Sequence, residues 1–440
     1  MATSGGTSGQ GGNGQAHAAV QWTETLQLAV SQAEAKQTDT GSNSPVNQSA
    51  GNVTGGNNTA TQTPSNTIGS SSAKNSATPK QTNTQTQSDP SGCTSGCGGN
   101  GQFQAASEGA KTLQIAASLA QAEQEAVNAN VPVNIAGGSI SGGNNTASQT
   151  ASNGATSGAA SNSASTTQGN TQTQEIGASS CTKGCGGSGQ AQLSSQFAET
   201  LQLAVSQANA KQTVVNGNVP VNIAGGSITG GNNTASQKAT NNAESGEASN
   251  TASTTQTNSQ TQKVGASSCT EGCGGNGQFQ QSGQHATTEQ GAASVANGEQ
   301  TAVNGNVPVN IAGGSVTGGN NTAEQEAGNS AKSGAATNTA STTQGNTQTQ
   351  EVGSSSCTKG CGGNGQAQES CQEATTEQGA ISAANAEQTA VNANVPVNIA
   401  GGSISGGNNT ASQKATNGAT SGPASNTATT TQENTQTQKA

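Results

Sequence analysis

Apolar residues are sparse along this chain, and where they gather they alternate with polar ones. In the run 391–399, Val391, Ala393, Val395, Val397 and Ile399 fall on one face, and Asn392, Asn394, Pro396 and Asn398 on the other. Period two, bounded by Gly401-Gly402, predicts a half-buried β-strand. Pro396 has no N–H to donate and suits an edge, or a position where that donor is not needed. The same pattern stands at 131–135, 219–223 and 307–311, and has decayed to Pro45-Val46-Asn47-Gln48-Ser49 in the first copy. A weaker alternation places Leu201, Leu203 and Val205 together, although the surrounding Glu, Ala, Gln and Lys also suit a helix. At the aligned 287–291 and 375–379 the leucines are gone, so this stretch is not an indispensable core.

The polar segments are patterned too. Residues 255–262 put hydroxyls on one face and amides on the other, with related runs at 82–87, 171–174, 347–350 and 435–438. β-Branched Thr favours the pleated conformation, and Gln and Asn amides hydrogen-bond along a ladder when like strands stack. Alanines at Ala147, Ala151, Ala155, Ala160 and Ala164 recur at Ala235, Ala239, Ala243, Ala248 and Ala252. Spacings of four, four, five and four drift around a helix, and the intervening Ser, Thr and Asn are poor helix formers. A small residue at each inward turn of a narrow winding chain is expected instead.

These segments recur in fixed order. Gly-Gly-(Asn/Ser)-Gly-Gln begins at Gly11, Gly98, Gly186, Gly274 and Gly362, and Gly-Gly-Asn-Asn-Thr-Ala at Gly55, Gly142, Gly230, Gly318 and Gly406, with a constant offset between them. The chain thus divides into a lead (1–10), a degenerate first repeat (11–97), three full repeats (98–185, 186–273, 274–361) and a truncated fifth (362–440). The expected fold is all-β, a tandem-repeat β-solenoid-like or cross-β-prone architecture with Gly/Cys loops. A largely disordered chain is the alternative.

Composition narrows this further. Leu, Ile, Val and Phe make up roughly a tenth of the residues, too few for a large packed core. There is one Trp, no Tyr and three Phe, so order must come from main-chain pairing and amide ladders. The net charge is -10, with only 8% of residues charged. Every cation is Lys, and the absence of Arg removes the best fork for phosphates and base edges, so no nucleic-acid partner is expected. No apolar run is long enough for a membrane span. The opening Met1-Ala-Thr-Ser-Gly-Gly has neither the basic nor the apolar part of a signal peptide. That points to the cytosol if the chain is complete, whereas Ala440 falls where earlier copies run on toward their cysteine loop, as a fragment would.

Eight cysteines form Cys-x-x-x-Cys pairs: Cys93/Cys97, Cys181/Cys185, Cys269/Cys273 and Cys357/Cys361. One local disulfide per Gly-rich loop is the favoured reading, which would place the chain in an oxidising, extracellular setting. Pairing between loops or between chains comes next, and Cys371 is left over. In the first repeat Gly6 and Gln10 replace the pair. A zinc site needs further ligands, and His17 and His285 do not recur with the loops, so no metal is expected. Asn57, Asn144, Asn232, Asn320 and Asn408 head Asn-Asn-Thr sequons, read first as plain Gly-Gly-Asn-Asn turns. Glu199, Glu289 and Glu377 align but form no acid/base pair. No catalytic residue and no cofactor is expected.

Two families share short motifs with these repeats. Asn218 to Ile223, Asn-Val-Pro-Val-Asn-Ile, resembles the strand of chaplins, actinobacterial surface proteins that assemble into amyloid-like films; Ala224 stands where chaplins place a cysteine. Gly230 to Gln237, with its Gly-x-x-Asn-x-Ala pattern, resembles curlin-type repeats, which wind into β-solenoid fibres. Both resemblances imply extracellular, self-associating, β-rich assembly. The expected function is that of a non-enzymatic extracellular or cell-surface repeat protein, forming or decorating a fibre, coat or adhesive stalk. Alternatives are an ice- or surface-binding protein presenting regular Thr rows, and a flexible polar spacer.

Overall fold

The structure, a computed structural model, describes residues 14–55, 57–89, 101–142, 144–177, 179–183, 186–272, 274–353, 356–359, 362–406 and 408–439. Among these residues every regular element is a β-strand, and the fold is an all-β tandem-repeat solenoid. In one coil the strand Gly189–Asn218 runs the full width of the molecule, and the short strands Val221–Ala224 and Ile228–Thr229 turn the corner. The chain then returns along Asn233–Glu244 and Ala248–Val264. The return path lies flat against the outgoing strand: the Gln190 side chain reaches the Lys263 carbonyl at one end, and Asn218 that of Thr234 at the other.

Each strand stacks in parallel on its equivalent in the next coil. Gly14–Asn43, Gly101–Asn130, Gly189–Asn218, Gly277–Asn306 and Gly365–Asn394 form one sheet without a register slip. Thirty residues at ~3.3 Å each make a blade ~100 Å wide, and five coils at ~4.8 Å make it short along its axis. Two sheets back to back are the whole thickness.

The interior is polar. Inward positions of the long strand include Gln190, Gln192, Gln196, Ala198, Thr200, Gln202, Ala204 and Ser206, all buried. Gln192 Nε2 donates to Gln104 Oε1 in the preceding coil (3.0 Å) and to the Thr261 carbonyl of the facing strand (3.2 Å). From the opposite sheet, Gln260 Nε2 donates to Gln172 Oε1 (2.9 Å) and to the Gln281 carbonyl (3.2 Å). Both amide hydrogens are used, which removes the penalty for burying an unsatisfied donor. Between the amide columns run alanine columns, Ala116-Ala204-Ala292 facing Ala160-Ala248-Ala336, and Ala120 and Ala122 facing Ala155. Ala against Ala lets the sheets approach closely enough for the longer amides to reach across.

The sequence-predicted strands are present, but facing the other way from the usual apolar-in arrangement. Asn134, Asn222 and Asn310 are fully buried, and Val391, Val395, Val397 and Ile399 face outward. Leu201 and Leu203 are likewise on the outside, in a 30-residue strand rather than a helix. The cause is column chemistry. An amide ladder needs the same residue in every coil, as in Gln114-Gln202-Gln290-Gln378, whereas the outward column beside it changes freely from Leu113 and Leu201 to Glu289 and Glu377. The alanines sit in extended strands, not at turns. Their spacing of four keeps one face, and the single spacing of five spans the link at Ser157, Gly158 and Ala159 between two return strands.

Pro132, Pro220 and Pro308 stack within the sheet rather than at an edge. Each marks the break between the long and short strands, and its carbonyl still accepts the N–H of Val221, Val309 or Val397. Two glycine columns are obligatory. Gly55, Gly142, Gly230, Gly318 and Gly406 have φ between 88° and 95° at the Gly-Gly-Asn-Asn turn, a region L-residues avoid. At the mid-return link, a Cβ on Gly246 would lie 2.6 Å from the Gly158 carbonyl carbon.

Candidate interaction surfaces

What this blade offers the outside is decided by its outward columns. The Val-x-Val-x-Ile strands stack into an apolar stripe at one end of the long sheet: Val131, Val133 and Ile135, then the equivalent residues in three more coils. Among the described residues none packs over it; in the last coil Val395 and Ile399 are each 54% exposed. A second apolar patch lies nearer the other end on the first three coils, with Val20, Trp22, Leu26 and Leu28 all more than half exposed. Within it Trp22 leans over Gly109, where a Cβ would fall 2.0 Å from the indole, and stacks on Phe197 at 6.4 Å between centroids. Phe197 stacks in turn on His285 at 5.3 Å, and His285 Nδ1 meets Glu373 Oε2 at 3.2 Å. Surfaces of this extent usually mark contacts with other molecules.

The return sheet presents hydroxyls instead. Thr84, Thr171, Ser259, Thr347 and Thr435 form one column, and Thr86, Thr173, Thr261, Thr349 and Thr437 the next. Their inward neighbours Gln172, Gln260 and Gln348 carry the ladder, the division of faces expected from the sequence. Charges alternate along the axis. Glu326 sits between Lys238 (3.1 Å) and Lys414 (3.4 Å), whose ammonium groups, Lys238 first, hold its carboxyl below the usual range. Lys111–Glu199 and Lys211–Glu299 repeat the theme. Exposed pairs of this kind contribute little stability.

The predicted sequon turns are exposed and ordered by a ladder of their own, in which the Asn232 N–H donates to Asn144 Oδ1 (3.0 Å) and that of Asn320 to Asn232 Oδ1 (3.2 Å). Cys181, Cys269 and Cys357 are brought into register by the parallel strands Ser179–Lys183, Ser267–Glu271 and Ser356–Lys359. The other cysteines of the sequence-predicted pairs, Cys93, Cys97, Cys185, Cys273 and Cys361, like Gly6 and Gln10, lie outside the described residues. Cys371 is free and exposed on the outer face of the last long strand. Among the described residues no group of three or more His, Cys, Asp or Glu side chains is placed to hold a metal ion, and no helix is long and apolar enough to cross a membrane.

One buried acid was not singled out by the sequence pattern. Glu108 stands in the inward column Gln21-Glu108-Gln196-Gln284-Gln372 and is 2% exposed. Burial pushes its carboxyl up, against the Gln196 amide and the Asn83 main-chain N–H, which pull it down. Gln196 Nε2 donates to Glu108 Oε2 at 3.0 Å, while Glu108 Oε1 and Gln21 Oε1 have no partner. A glutamate in a column of glutamines was the available signal.

The chain matches no family model, no curated protein and no solved structure.

Proposed function

We propose that this is a structural protein of the cell surface or extracellular space, a rigid blade that builds or decorates a fibre or coat through its outer faces. The observation that carries the reading is the apolar Val/Ile stripe, repeated coil after coil and covered by none of the described residues. A protein that needed those side chains for its own core would have turned them inward. The cysteine loops and the chaplin-like and curlin-like motifs support an oxidising setting outside the cell, and self-association there. The test is electron microscopy and fibre diffraction of the full chain at rising concentration. Ordered assemblies with a meridional spacing of ~4.7–4.8 Å are expected, and a chain that stays monomeric and coats no surface overturns the reading.

A second reading is favoured by the hydroxyl columns. Thr171, Thr173 and their equivalents form a flat grid, ~6.6 Å apart along the strand and ~4.8 Å between coils, suited to binding an ordered surface such as ice. Thermal hysteresis is its signature, and its absence removes this reading without touching the first.

A further inference from the structure

The amide ladders have a direction, and the two kinds of ladder run oppositely. Every inward Asn column donates toward the C-terminal coil: Asn43 Nδ2 to Asn130 Oδ1 (3.2 Å), Asn130 to Asn218 (3.0 Å), Asn218 to Asn306 (3.1 Å) and Asn306 to Asn394 (3.2 Å). The columns headed by Asn47, Asn66, Asn75 and Asn83 do the same. The inward Gln columns donate toward the N-terminal coil: Gln413 Nε2 to Gln325 Oε1 (2.9 Å), Gln325 to Gln237 (2.8 Å), Gln237 to Gln149 (3.3 Å) and Gln149 to Gln62 (2.7 Å).

The two outer edges are therefore different and complementary. The N-terminal edge presents Asn oxygens and Gln amide hydrogens. The C-terminal edge presents Asn amide hydrogens and Gln oxygens. At the N-terminal edge this leaves a visible debt, because Gln62 is 8% exposed and its buried Nε2 has no partner, while Gln149 Nε2, the next in the column, donates to Gln62 Oε1. A main-chain edge of this length is also a template for strand addition.

We infer that copies of this chain join head to tail, the first coil of one copy continuing the last coil of another in register, to give a polar filament. In that joint Gln62 donates to Gln413, Gln27 to Gln378 and Gln37 to Gln388, while Asn398 donates to Asn47 and Asn426 to Asn75. On the outer face Lys36 meets Glu387, which within one copy has only Glu299 beside it in the column. Head-to-head contact instead sets Asn oxygen against Asn oxygen and Gln hydrogen against Gln hydrogen. A heterologous contact without rotational closure extends as a filament. One residue opposes it. Asp39 heads the inward Ala126-Val214-Ala302-Ala390 column and carries a carboxylate into an apolar joint, as an inward charge on an edge strand does when it restrains addition.

This inference rests on the assembly reading above, and the two fail separately, because contacts through the apolar faces survive a blocked edge. The experiment uses three variants of the full chain, each checked for unchanged β-signal by circular dichroism. Gln62→Lys blocks the N-terminal edge and Gln413→Lys the C-terminal edge. Each alone is expected to lose end-to-end growth, and an equimolar mixture to form a dimer of twice the mass in sedimentation, since each variant retains one good end. Asp39→Ala is expected to lower the concentration needed for filaments by roughly tenfold or more, because an unpaired carboxylate no longer enters the joint. Filaments of either blocked variant alone that grow along the coil axis, a mixture that forms no end-to-end dimer, or an Asp39→Ala chain that assembles no more readily than the parent overturns the head-to-tail joint.

Discussion

Replacing Glu108 by Gln is expected to stabilise the blade, which is unusual for a change at a fully buried position. Glutamate interrupts a column that is otherwise glutamine, and it leaves two buried oxygens, its own Oε1 and Gln21 Oε1, without a hydrogen between them. Glutamine supplies that hydrogen and still accepts from Gln196. Making one such bond, and relieving the oxygens it joins, is worth about 1–3 kcal/mol. The effect depends on pH in a fixed direction. Burial raises the Glu108 carboxyl above its unfolded value, so between the two values the folded state holds a proton that the unfolded state has released. Stability from this group is complete below the unfolded glutamate pKa of about 4.3 and is lost as pH rises through the folded value. A protonated Glu108 can itself donate to Gln21, as glutamine would. Urea unfolding of both proteins across pH 3.5–8, a range of roughly four to five units spanning the ordinary carboxylate region, should show similar midpoints in acid and a gap that widens toward neutrality. Equal stability at neutral pH, or a gap that opens toward acid, refutes the ladder account of this column.

Further expectations follow from the same geometry. Gln202→Leu removes bonds to Gln114 (2.7 Å) and the Thr251 carbonyl (3.0 Å) and strands the Gln290 amide, so a loss of several kcal/mol is expected in denaturant unfolding; the neighbouring Leu201→Gln should fall within ~0.5 kcal/mol of the parent. Gly246→Ala forces a Cβ to 2.6 Å from the Gly158 carbonyl carbon and should lower the thermal midpoint by an amount equivalent to about 1–3 kcal/mol or more. Charging the stripe with Val221→Lys and Val309→Lys should abolish face-to-face association in light scattering while leaving the circular dichroism spectrum unchanged.

Much of this fold was legible in the sequence. Period-two alternation located the Val-x-Val-x-Ile strands and the Thr/Gln runs announced their amide ladders, whereas the fixed offset between the glycine motifs fitted coils in register and recent duplication equally. The direction of burial was harder to read. Alternation shows that two faces differ without saying which is inside, and the habit of sending Val and Leu inward fails where the interior is too thin for them. The deciding signal was variation among the copies. Residues at 114, 202, 290 and 378 stay Gln because each bonds to the next, whereas Leu201 becomes Glu289 one coil later because only solvent or a partner touches it. The interval of five among the alanines was another such signal, marking a link between strands. The polarity of the ladders was not legible at all, since it depends on which way each amide turns.

The central claim is that amides fill this molecule and its aliphatic side chains face out, and adjacent residues test it most directly. Cysteine placed at Val221 and, in a second protein, at Asn222 can be challenged with a maleimide under native conditions and read out site by site by peptide mass mapping. The thiol at 221 is predicted to react promptly and the thiol at 222 to stay protected until the blade unfolds. Rapid labelling at 222 with protection at 221 would contradict the account.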